Sequence, residues 1–139
     1  MKPDKLRTVL DTNVVISSLL FDGECAPIAD ALQGKKFHFL ASGEITTEYL
    51  RVLTYPKFQL KDDEIKGIWQ SEILPFLVPV KVAKTKKIIK EDPGDDDFLA
   101  CAKYGRADFL VTGDRHLLKL ERYGKTKIVR IKEFMGVLE

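Results

Sequence analysis

Two aspartates stand where apolar strands should end. Asp11 follows the run "TVL", and Asp114 closes "FLVTGD". Aspartate is a poor strand residue and is seldom buried, so each must serve something at its strand's tip. Capping a following helix is one such service, and each acid taken singly fits it. The pair implies more, because ligand sites in parallel sheets lie beyond the carboxyl ends of the strands. Glu48 stands three residues after Ile45 and four before Val52. It therefore borders the apolar stripe of a helix, a position from which a glutamate also reaches water. The densest group is "EDPGDDD", with Asp92, Asp95, Asp96 and Asp97 inside six residues. One or two acids suit the first turn of a helix; a larger cluster is self-repelling, and a cation would relieve it. Asp95 precedes Phe98, Leu99 and Ala102 at i+3, i+4 and i+7, which puts it at the head of the buried stripe, whereas Asp97 lies off it.

Carboxylate oxygens with no cluster of Cys or His suit Mg²⁺ or Mn²⁺ rather than zinc. One or two such ions activate a water and stabilise the leaving oxygen of a phosphodiester, so hydrolysis by in-line attack needs no protein nucleophile. Other routes find little support. The two histidines, His38 and His116, have no GxSxG partner, and there is neither a P-loop nor a GxGxxG. His38 reads as a strand residue without a catalytic role. Cys25 and Cys101 make no disulfide framework or zinc set, and read as two small buried apolar side chains.

These acids need elements to hold them. "TVLDT" reads as a strand buried on both faces, followed by helices over 13–20 and 28–32. "KFHFLAS" is a second strand, and Ser42 caps a helix running through Leu53. Asp62 or Asp63 caps a helix "DEIKGIWQSEILPFL" that stops near Pro75. "VPVKV" makes a third strand, residues 95–104 a helix, "ADFLVTGD" a fourth strand, "RHLLKL" a short helix and "KIVRI" a fifth strand. Strands alternating with helices predict a three-layer α/β/α sandwich around a central, mainly parallel sheet. A chain of 139 residues predicts one domain spanning 1–139.

Four stretches in this order resemble PIN-domain proteins, in particular the PIN-type toxin nucleases of bacterial and archaeal toxin–antitoxin modules: "VLDTNVVISSLL", "SGEITTEYLRVL", "DPGDDDFLACAKYGRAD" and "FLVTGDRHLL". The resemblance covers nearly the whole chain. It implies a PIN-like fold and an acidic catalytic and metal-binding quartet at Asp11, Glu48, Asp95 and Asp114. It also implies support of the first acid by Asn13, Thr112 at the position before the last acid, and Asp96 as a further ligand or a support, since related sequences often have Asn there. Gly94 departs from the subgroup, which often carries Asp at that place. The implied activity is a Mg²⁺- or Mn²⁺-dependent single-strand ribonuclease that often dimerises and is silenced by a small antitoxin protein.

The net charge of +2 leaves RNA binding to local cations. Arg115 and His116 beside Asp114, and Arg51 one turn beyond Glu48, are the candidates, with the run Lys84, Lys86, Lys87 and Lys90 reading first as a solvated connection. Tyr49 and Trp69 read as packing residues. The chain shows no signal peptide or transmembrane run, which predicts a cytoplasmic protein. Alternatives within the fold are a housekeeping RNA-processing nuclease and a non-catalytic RNA-binding or interaction module. A phosphatase with an Asp nucleophile would want a second Asp two residues after the first, where Asn13 stands.

Overall fold

The computed structural model describes residues 5–83 and 93–138, the side chains of 93–95 excepted. Asp92, the Asp95 side chain and the lysine run 84–90 lie outside the described residues. Among the described residues six strands form one sheet in the order β3-β2-β1-β4-β6-β5. They are β1 (Arg7–Leu10), β2 (His38–Ala41), β3 (Leu77–Pro79), β4 (Phe109–Val111), β5 (Arg122–Tyr123) and β6 (Thr126–Val129). All pairings are parallel except β5 with β6. Thr8, Val9 and Leu10 are each wholly buried. Since successive side chains on a strand point to opposite faces, β1 is covered on both sides, as a central strand of an α/β sandwich must be.

Among the described residues seven α-helices surround the sheet: α1 (Thr12–Leu20), α2 (Ala26–Gln33), α3 (Gly43–Leu53), α4 (Asp62–Ile68), α5 (Pro93–Tyr104), α6 (Arg115–Leu118) and α7 (Ile131–Leu138). Ser42 caps α3 as predicted, its Oγ accepting from the Ile45 N–H at 3.3 Å. At the amino end of the sheet Phe134 of α7 packs edge-on against Phe37 and Phe109, at ring separations of 5.3 and 5.8 Å. Gly105 ends α5 against the sheet. A Cβ there would meet the Cys101 carbonyl at 2.8 Å and the Leu40 and Val80 methyls at 3.0 Å.

The long helix expected over 63–77 is instead three pieces: α4, a π-helical turn Trp69–Ile73 and a 3₁₀ turn Leu74–Phe76. Pro75 is the cause, since it lacks the N–H for an α-helical bond and crowds the preceding turn. Lys61, not Asp62 or Asp63, is the N-cap of α4; its backbone N–H donates to Glu64 Oε1 at 2.9 Å, half of a capping box. The third strand falls at 77–79 rather than 78–82. The strand β5 escaped the sequence because two residues carry no alternation; it is made by the turn at Gly124, with φ of +59°, which folds it back onto β6. Cys101 is buried, and burial pushes its thiol up to about 12, whereas Cys25 is only half-buried.

Candidate active site

The sheet geometry brings the strand-end acids together. β1 and β4 are neighbours in register, Leu10 opposite Val111, so the residues that follow them emerge side by side. The Asp11 N–H donates to the Val111 carbonyl at 3.0 Å, a last rung between the two strands. Asp11 then caps α1, its Oδ1 accepting from the Asn13 backbone N–H at 3.4 Å. Its Oδ2 accepts from Thr112 Oγ1 at 2.6 Å. The same Thr112 hydroxyl accepts the Asp114 N–H at 3.0 Å, and Asp114 caps α6 by accepting the His116 N–H at 2.7 Å. One buried hydroxyl therefore ties both strand-end acids into a single unit. Both acids are helix N-caps as well, so the capping expectation holds.

Glu48 enters from α3. Its Oε2 accepts the hydroxyl of Thr12, the residue next to Asp11, and its Oε1 pairs with Arg51 at 3.6 Å. The following residue, Tyr49, is fully buried and donates its hydroxyl to the Leu10 carbonyl at 2.5 Å. Tyr49 thus pegs α3 to the end of β1 and sets where Glu48 stands.

Electrostatics register the crowding. Burial pushes the Asp11 carboxyl above the usual carboxylate range; the bonds from Thr112 and Asn13 pull it back, and the charges of Asp114 and Glu48 push it up further. Asp97 is also raised, first by burial and then by Glu44, Glu48 and Asp96. Asp11 is therefore within reach of the charges of Asp114 and Glu48, and Asp97 of α5 within reach of those of Glu44, Glu48 and Asp96. Asp96 is 7% exposed, as enclosed as Asp11 at 8%.

Glu44 and Asp97 were not among the expected site residues. Glu44 was legible, because it lies one turn before Glu48 on the same face. Asp97 was not: its place off the stripe of α5 is right, but only the packing of α3 on α5 turns that exposed side toward Glu48. Asn13 meets Asp11 through its backbone, and its side chain is exposed. Arg115 and His116 are exposed on the first turn of α6 beside Asp114, and Arg51 is held by Glu48. His38 begins β2, at the opposite end of the sheet from the acids.

Among the described residues no group of three or more His, Cys, Asp or Glu side chains is placed to hold a metal ion. The donors present are nevertheless of the kind Mg²⁺ takes: it keeps several waters and needs only one or two carboxylates, plus substrate phosphate oxygens. Asp11 and Asp114, rigidly set and mutually repelling, fit such an ion.

A mainly parallel sheet with helices around it, its neighbouring strands β1 and β4 followed by Asp11 and Asp114, defines an α/β protein with acids at the carboxyl edge of its sheet. The PIN domain family model matches residues 7–116, and the chain belongs to that family. PIN domains are generally nucleases and generally use divalent metals. The fold is shared with PAE2754 from Pyrobaculum aerophilum, at 14% identity and a TM-score of 0.64, covering 96% of this chain and 89% of that one. It is shared also with FitAcB from Neisseria gonorrhoeae, at 17% identity and a TM-score of 0.56, covering 90% of this chain and 98% of that one. At these identities the likeness concerns the fold alone. No curated protein sequence matches the chain significantly.

Proposed function

We infer that the protein is a Mg²⁺- or Mn²⁺-dependent endoribonuclease that hydrolyses phosphodiester bonds of single-stranded RNA, and that it is the toxin of a type II toxin–antitoxin module. The observation that carries the activity is the Thr112 hydroxyl shared by Asp11 and Asp114, which fixes two acids side by side at the end of the central strands. In this role Asp11, Glu48, Asp95 and Asp114 are the catalytic and metal-binding acids, with Asp96 as a further ligand. A bound divalent ion would supply an activated water and charge neutralisation at the scissile phosphate. Thr112 and the Asn13 backbone hold Asp11 in one orientation; Thr12 and Tyr49 hold Glu48 near it. Arg115, His116 and Arg51 border the acids and would meet RNA phosphates. As such a toxin the protein acts in the cytoplasm, as a homodimer silenced by a small antitoxin; among the described residues no helix is long and apolar enough to cross a membrane.

The test is cleavage of single-stranded RNA with Mn²⁺ or Mg²⁺, with EDTA and Asp11→Asn as controls. Cleavage is expected in metal only, and the variant is expected to lose at least ~10²-fold in rate, the scale on which one electrostatic group at a reacting centre acts. Equal activity in Asp11→Asn would overturn the mechanism.

A further inference from the structure

Next to the Asp11–Thr112 pair lies a depression. It opens between the outer face of α1, where Asn13 and Ser17 stand one turn apart, and the loops leaving β4 and β6, where Thr112, Gly113 and Arg130 stand; Glu24 borders it too. Its volume of about 170 Å³ is well below the ~300–1,000 Å³ of a cleft that takes a whole small-molecule ligand. Thr112 joins the two places, since the hydroxyl that bonds Asp11 belongs to a residue lining this cleft. Asn13 joins them again through its backbone bond to Asp11. Whatever enters the cleft therefore meets two residues that are hydrogen-bonded to the Asp11 carboxylate.

The charges in it are mixed. Arg130 is exposed, and among the described residues its guanidinium makes no ion pair, unlike Arg51, Lys125 and Lys127. Glu24 is exposed as well and stands apart from Arg130, with no ion pair between them. A bare phosphate would gain from Arg130 and lose to Glu24. A nucleotide matches both, because its phosphate is anionic while its base edge offers N–H donors that a carboxylate accepts.

We propose that this cleft is a nucleotide subsite for the RNA unit next to the cleaved bond, in which Arg130 holds the phosphate and Glu24, with the Asn13 amide, meets the base edge. The proposal rests on the ribonuclease reading above. Binding of a short, labelled, mixed-sequence single-stranded RNA is followed by fluorescence anisotropy at a series of salt concentrations. An Asp114→Asn background keeps the RNA intact in Mg²⁺, which a gel verifies. Adding Arg130→Gln is expected to weaken binding and to reduce the slope of log K against log salt by about 0.7, the loss of one phosphate contact to a single strand. Lys36→Gln, before β2 at the opposite end of the sheet, is expected to leave the slope as it was. Adding Glu24→Gln is expected to change the order in which cytosine-, guanine-, adenine- and uracil-rich strands compete, because unpaired bases differ in the number and placement of the N–H donors they offer a carboxylate. An unchanged slope in Arg130→Gln, or an unchanged base order in Glu24→Gln, overturns the subsite while RNA binding by the background protein stands. Failure of the background protein itself to bind RNA overturns the ribonuclease reading, and the subsite with it.

Discussion

Thr112 matters through two bonds made by one small hydroxyl, donating to Asp11 and accepting from Asp114. Thr112→Val keeps the shape and removes both, leaving a buried carboxylate oxygen and an N–H without that partner, at a cost of ~1–3 kcal/mol. Activity is expected to fall with stability in Thr112→Val and to be retained in Thr112→Ser, as a melting curve and a cleavage assay would show. Asp11 has the opposite effect on the metal-free fold. Its carboxyl is raised by burial and by Asp114 and Glu48 despite its hydrogen bonds. A raised folded pKa means the folded state prefers the protonated acid, so ionisation destabilises the fold. In EDTA Asp11→Asn is therefore expected to melt above the wild type at neutral pH. That advantage should shrink as pH falls through the raised folded value and vanish below the ordinary carboxylate value. A difference in melting temperature that stays constant with pH would contradict it.

Among the elements, α5 carries acids toward those of α3. It packs on β1, β2, β4 and α3, and it brings Asp97 within reach of the charges of Glu44 and Glu48. Its close seat depends on Gly105, where a Cβ would meet backbone as well as methyl groups. Gly105→Ala is expected to cost ~1–3 kcal/mol by overpacking, seen as a lower denaturant midpoint, with the far-UV spectrum kept. The sheet itself is less demanding, since β1 and β4 are short and held by parallel register on both sides.

For the molecule as a whole, the net charge is only +2, yet Asp11 has the charges of Asp114 and Glu48 close by at one end of the sheet. An ion that binds the folded state alone stabilises it by mass action, about 2.7 kcal/mol at a hundredfold excess over Kd. Mg²⁺ or Mn²⁺ is therefore expected to raise the melting temperature of the wild type, and to raise it much less in Asp11→Asn and Asp114→Asn. Equal shifts in all three would remove these two residues from the ion's site.

The order of strands and helices, the α/β class and the places of Asp11, Glu48 and Asp114 were legible in the sequence, because each is written in a local pattern. An apolar run that stops at an acid, a cap three residues before a buried Ile and a 3.6-residue stripe are all properties of short segments. The broken helix after α4 was misread although Pro75 was visible, since sequence shows that a proline interrupts a helix but not whether the chain widens or ends. The two-residue β5 carried no period to read. What only the tertiary structure decided is adjacency. That β1 lies beside β4 follows from sheet order, and it alone lets Thr112 reach both strand-end acids. Asp97 faces Glu48 only through the packing of α3 on α5, and Arg130 reaches Thr112 only because β6 lies next to β4. Such contacts join residues far apart in the chain, and no local period encodes them.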